Sequence, residues 1–329
     1  MTVQLEQSTV TETRAPRRVP PVVWWALLGA VFVVVQLYTY GSWVLSDGFH
    51  PTHTGVDRVP TYSRVVMRVF EVVSTVSLAG ALVWFVRGIR KSGRIDATRL
   101  MMIGWLSAYW LDPFLNFLRP MFTYNAALVN MGSWANYIPG FRTPHGDRIA
   151  EPLLVDPSSY FVSFTLTALS GVWAMRKIKE RRPDVSRTVQ TLVSVPAIWI
   201  SMGVLDVGAT TLMHFDGWLI TNHSLSLLGG GYDQFPLYEF LVFPAAFVAC
   251  ALLLYHQDEK GHTVIEHGLV QLRTASWVHT ALRILAFVAF CNLANLIYTT
   301  IMGLIALVGD PWPVDTPSWL SNNLTPFRG

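Results

Sequence analysis

Seven polar side chains stand inside otherwise apolar runs of this chain: Glu71, Asp112, Asn116, Asp206, Glu239, Asn292 and Asn295. In lipid such groups are costly unless they face a cavity or a partner, so each is a functional candidate. Apolar surroundings disfavour the charged form of a carboxyl group, which leaves a proton that can be delivered to a substrate. Glu239, Asp112 and Asp206 are therefore the candidate catalytic residues.

Spacing sharpens these candidates. In Tyr109–Asn116, reading YWLDPFLN, Pro113 suits a first helical position, which makes Asp112 the N-cap of a broken helix. Asp112 and Asn116 then share a face. Asp206, Thr210 and His214 form one helical stripe, suited either to carrying a proton or to bonding a neighbouring helix. Glu239 follows Tyr238 at the start of an apolar run. It reads as a general acid, or as a favourable charge at a helix N-terminus. Asn292, Asn295 and Thr299 also share a face, where interhelical hydrogen bonding is the simplest role.

The loop Arg119–Pro157 spans 39 residues and mixes aromatic and amide side chains. Structureless loops of that length are usually lids or binding elements. It contributes Arg119, Tyr124, Asn125, Asn130, Trp134 and His145 as candidate substrate contacts. Asn116, His214, Tyr238, Asn292 and Asn295 join them from the apolar runs and their ends.

The elements that must position these groups are apolar stretches long enough to cross a bilayer core of roughly 30 Å as helices. Seven run near Val22–Leu45, Val65–Val86, Leu100–Leu118, Ser158–Met175, Val189–Met213, Pro236–Tyr255 and His279–Val308. Of the 329 residues, 52% are hydrophobic and 14% charged, against about a quarter charged in soluble domains. The expected fold is an all-α, polytopic membrane bundle over residues 22–308, with tails at 1–21 and 309–329. The localisation expected is the cell membrane, multi-pass.

Lys and Arg set the orientation. Sixteen fall in the N-terminal tail, Arg87–Arg99, Arg176–Arg187 and His256–Ala275, and seven on the alternate side. This places the N-terminus in the cytoplasm and the C-terminus outside. Asp112, Asp206, Glu239 and Glu71 then share the outer half of the bundle.

Several classes are disfavoured. The net charge of +3 comes from basic residues at helix ends, so no nucleic acid is expected as partner. Cys250 and Cys291 lie in apolar runs and read as small core residues. No paired mid-membrane histidines point to haem, and there is no phosphate-binding loop or dinucleotide fingerprint. No cofactor and no metal are expected. The partners expected are the lipid bilayer and a lipophilic small molecule.

Three strings carry a resemblance: YWLDPFLNFLRPMFTYNAALVNMGSW at Tyr109–Trp134, IPGFRTPHGDRIAEPLL at Ile138–Leu154, and YDQFPLYEFL at Tyr232–Leu241. With Tyr255–Leu272 they are similar to the AveC-type spirocyclase family of actinobacteria. The resemblance implies spiroketal formation in polyketide biosynthesis, in some members joined to a dehydration, without a cofactor. A ketone and two hydroxyls would cyclise with loss of water through an oxocarbenium ion. One carboxylic acid protonates the departing hydroxyl, and a second carboxylate stabilises the cation and accepts a proton. A transporter or lipid-binding protein using the same outer cavity, and an assembly partner for other membrane enzymes, are the alternatives.

The orientation has a direct test. Cysteines placed at Ser92 and Ser186 are expected to be shielded from an impermeant thiol reagent in intact cells, while one at Ser226 is labelled. Labelling at Ser92 would reverse the orientation.

Overall fold

The computed structural model describes residues 19–322 and 324, with the backbone alone at 204 and 205. The N-terminal tail up to residue 18 lies outside that range. The chain is mainly helical. Its helices are α1 (Pro21–Val44), α2 (Thr61–Ser92), α3 (Ala97–Ala108), a single turn α4 (Asp156–Ser158), α5 (Phe164–Arg181), α6 (Arg187–Val207), α7 (Glu239–Tyr255), α8 (Ser276–Ala306) and the short α9 (Ser318–Ser321). Two small antiparallel ribbons complete it: β1 (Phe122–Tyr124) with β2 (Asp216–Trp218), and β3 (Ser226–Leu227) with β4 (Phe235–Pro236).

Four helical segments are long and apolar enough to cross a membrane: Pro21–Val44, Thr61–Ser92, Arg187–Leu212 and Ser276–Ala306. This is what a membrane protein requires. The other expected spans fall short by length or charge. α3 has 12 residues and α7 has 17, and the end of α5 carries Arg176, Lys177, Lys179, Glu180 and Arg181.

α8 is the spine. Half of its most apolar stretch is buried, against 6% for that of α2. It packs on α1, α3 and α7, while α5 packs on α6 and α7. Small residues permit the close approaches. A Cβ on Gly29 of α1 would stand 2.0 Å from the Leu285 carbonyl oxygen, and one on Gly104 of α3 would stand 2.6 Å from that of Phe287. This is the small-residue packing that lets apolar helices touch backbone to backbone. Gln36, Ser107, Trp110 and Asn292 join α1, α3 and α8 by hydrogen bonds.

The outer faces of α1 and α2 remain bare. Trp24, Leu27, Val31 and Val34 on α1, and Val65, Val69, Val72, Val73 and Val76 on α2, are exposed apolar side chains. Contiguous apolar surface of this kind is what a lipid-facing helix presents.

The connections sort into two ends. At one end His267 accepts a hydrogen bond from the Val22 amide, and Arg283 bonds the Ile95 carbonyl and pairs with Glu266. At the other end the segment 45–60, the loop 119–157, the segment 214–235 and the C-terminal segment interlock. Thr52 bonds Asn130, Asp57 bonds Ser318, and Ala126 bonds the Trp319 carbonyl. The C-terminal segment is therefore packed into this end and not free of it: Trp312 also donates to Pro120, and Asn322 to the Tyr124 carbonyl.

Gly29→Val is expected to force α1 away from α8. The stability cost is about 1–3 kcal/mol or more, the range for overpacking, read as a lower unfolding midpoint in detergent. An unchanged midpoint would mean that the helices separate freely there.

Candidate active site

Asp112, Asp206 and Glu239 line one cavity of about 400 Å³. Asp156 and Asp216 line it too, so five carboxyl groups converge on a mainly apolar chamber. Its apolar side is built by Val66, Phe70 and Val73 of α2, Phe164 and Leu166 of α5, Met202 of α6 and Phe243 of α7. Val73 and Leu166 are themselves exposed, so the chamber opens sideways between α2 and the α5–α6 pair.

The roof is the β1–β2 ribbon. Phe122 pairs with Trp218, and Tyr124 with Asp216. Side chains two apart on a strand share a face, and directly opposed residues share it across the ribbon. All four therefore look into the chamber, and all four line it. Ninety-odd residues separate the two strands in sequence.

Asp112 sits within a 3-10 helix, Tyr109–Asn116, which prolongs α3 without a break. The helix tightens around Pro113, so Asp112 is not an N-cap. Its two oxygens instead accept hydrogen bonds from Tyr124 Oη at 2.6 Å and Tyr160 Oη at 2.7 Å. Tyr160 lies in a π-helical turn, Ser159–Ser163, and such turns recur at functional sites. Glu239 is the first residue of α7, and its Oε1 accepts from Tyr298 Oη at 2.9 Å. Asp206 ends α6 before a second π-turn, Gly208–Leu212, whose Thr210 donates to Asp216. Burial pushes the Asp216 carboxyl well above its usual range, and nearby Asp206 adds to that. Burial does the same to Glu151 and Asp156, each with Asp112 as the contributing neighbour.

Among the expected substrate contacts, Tyr124 lines the chamber. The others are used elsewhere. Asn116 Oδ1 accepts the Met121 and Phe122 amides, both at 2.8 Å, and so launches β1. Arg119 donates to the Ala306 and Leu307 carbonyls at the end of α8. Asn125 holds the His214 carbonyl, and Asn130 bonds the Ala126 and Leu128 carbonyls and accepts the Thr52 and Gly132 amides. Trp134 is buried and donates to the Trp110 carbonyl at 2.7 Å. His145 is an exposed turn residue with φ of 58°. Tyr238 precedes Glu239 but is not among the residues that line the chamber. Asn292 accepts from Trp110 at 2.7 Å, and Asn295 donates to the Ala108 carbonyl, behind the chamber. Glu71 holds Arg68 and, at 2.7 Å, the Val129 amide, tying the loop to α2.

Glu151, Asp156 and Asp216 escaped sequence reasoning. They stand in segments between apolar runs, where acidic residues are ordinary. Only a map of which loops fold inward would have marked them.

Residues 92–323 match the family described as spirocyclase AveC-like. The chain belongs to that family. Membership points to an enzyme with spirocyclase-type chemistry. The match covers every carboxyl group that lines the chamber. Neither the curated proteins nor the solved structures contain a match to this AveC-like chain.

His214 buttresses the roof of this AveC-like site. It is buried, with φ of 50°, and its Nδ1 lies 3.0 Å from Tyr62 Oη. Burial holds its imidazole below the ordinary value of 6.5. The unfolded chain therefore takes up the proton first, so stability is full above about 6.5 and declines as pH falls below it. Asn tolerates the same backbone conformation. His214→Asn is expected to flatten the loss of thermal stability between about pH 7 and pH 5. Parallel curves for the two proteins would remove His214 from the pH response.

Proposed function

We propose that the chain is a membrane-embedded spirocyclase that closes a spiroketal from a lipophilic, polyketide-like dihydroxy-ketone, with or without an accompanying dehydration. The observation that carries this reading is the convergence of five carboxyl groups on one mainly apolar chamber bordered by the exposed apolar side chains of α2 and α5. A lipophilic substrate partitions into the bilayer and reaches such a chamber without crossing water.

The chemistry follows from two carboxyl groups. One substrate hydroxyl adds to the ketone and gives a hemiketal. Glu239, as the acid, protonates the hemiketal hydroxyl, which leaves as water. The resulting oxocarbenium ion is stabilised by the Asp206 carboxylate. The second hydroxyl attacks, and Asp206 takes its proton. One water is lost, and the proton given equals the proton received. Tyr298 orients Glu239 through its hydroxyl, and the apolar walls hold one near-attack conformer. No cofactor enters this scheme.

The seven-span topology, with the N-terminus cytoplasmic and the C-terminus outside, belongs to the same proposal. Its support is the sorting of connections: the Arg- and Lys-poor segments interlock over the chamber, and the basic ones gather at the far end. A cavity at that far end, lined by His256, Asp258, His262 and Gln271, shares no lining residue with the chamber. That favours an enzyme over a transporter.

Glu239→Gln keeps the shape and one hydrogen-bond donor but delivers no proton. The variant is expected to fold and to lower product formation by about 100-fold or more, the scale of a lost acid–base group. Reconstituted protein and a synthetic dihydroxy-ketone give the measurement. Wild-type yield from folded variant would end the acid assignment.

A further inference from the structure

At the chamber wall, Asp112, Glu151 and Asp156 each present a carboxylate oxygen within 4.8 Å of the others. All three are buried, at 8%, 0% and 6% exposure. Among the described residues no basic side chain pairs with any of them. Glu151 Oε2 and Asp156 Oδ2 are buried without a hydrogen-bond partner, although buried polar atoms are nearly always satisfied. Asp112 is held differently: its two oxygens accept the hydroxyls of Tyr124 and Tyr160. Outer donors of this kind orient ligating carboxylates in metal sites.

We infer that Asp112, Glu151 and Asp156 form a binding site for one hard divalent cation of the Mg²⁺, Mn²⁺ or Ca²⁺ class. Three features of the cluster lead there. The donors are all oxygen, which selects hard cations over soft ones. Their mutual spacing suits ligands placed around a common ion at 2.0–2.6 Å. The two orphaned oxygens are otherwise left buried and unsatisfied. Asp112 and Asp156 also line the chamber, so the ion's remaining positions face it and are open to water or a substrate oxygen. Glu239 and Asp206, on α7 and α6, lie outside the triad and keep their proton-handling roles.

The competing occupant of the same space is a proton shared between Asp112 and Glu151, which lie within hydrogen-bonding reach of each other. One shared proton serves Asp112 and Glu151 alone and leaves Asp156, whose carboxyl has the Tyr124 hydroxyl beside it, outside the pair, whereas a cation engages all three groups.

Binding is read without turnover, so the result is independent of which reaction the chamber performs. Full-length protein in nanodiscs, stripped with chelator, is titrated with Mn²⁺ alone. Electron paramagnetic resonance reports the bound ion, and thermal unfolding reports its effect on the fold. One Mn²⁺ per chain is expected, displaced by excess Mg²⁺ or Ca²⁺, with a higher unfolding midpoint. Asp156→Asn and Glu151→Gln are expected to abolish binding, and Asp206→Asn to retain it. Tyr160→Phe, which removes one outer donor, is expected to weaken binding about 10–100-fold. If Glu151→Gln fails to fold, Asp156→Asn and the wild-type midpoint shift carry the test. Absence of bound Mn²⁺ at millimolar concentration in folded wild-type protein would overturn the proposal, as would binding that survives both carboxyl substitutions.

Discussion

Keeping carboxyl groups in an apolar wall is expensive, the more so because among the described residues no basic side chain pairs with those lining the chamber, and this molecule is organised around that expense. An uncompensated buried charge loses far more hydration energy than a single hydrogen bond returns. Each carboxyl lining the chamber must therefore be neutral, bonded to hydroxyls, shared or bound to a cation. Tyr124, Tyr160, Tyr298 and Thr210 supply the hydroxyls. Those donors come from a strand, two π-turns and the spine helix. None is neighbour to its acceptor by simple helical repeat, so the whole bundle and its roof must close before the carboxyl groups are satisfied.

Much of the scaffold was legible in the sequence because lipid imposes a simple rule. Apolar length marks a helix, and an acidic residue within that length marks a place where something faces inward. That rule brought Asp112, Asp206 and Glu239 to attention, and they do line one chamber. It failed for Glu151, Asp156 and Asp216, because the rule is silent in segments that expect polar residues. The amides of the long loop and of the apolar run before it are engaged for a related reason. Asn116, Asn125 and Asn130 resemble ligand contacts, yet an irregular chain buried under a roof must first satisfy its own backbone, and side-chain amides do that work. The pairing of β1 with β2 carried no local signal, since two three-residue strands have no periodicity to detect.

The lateral opening follows from the unequal burial of the helices. α8, packed on several sides, cannot move without disturbing α1, α3 and α7. α2 is lightly buried, chiefly at Ser63, Met67 and Glu71 near its N-terminal end. The chamber therefore has a rigid polar wall on one side and a lightly held apolar helix on the other. In the proposed reaction that asymmetry has a use: rigidity where protons would be handled, and compliance where a bulky, oily molecule would pass.

The bond between Asn322 and the Tyr124 carbonyl spans 198 positions of the chain. Tyr124 is the residue that fixes Asp112, so its placement waits on a segment made long after it. During synthesis the helices through α8 are complete while the ribbon still lacks its last support. The growing polypeptide thus carries Asp112 and Tyr124 before the roof that holds them is finished. Completion of the roof is a late event of biogenesis, timed by the emergence of residues 318–322.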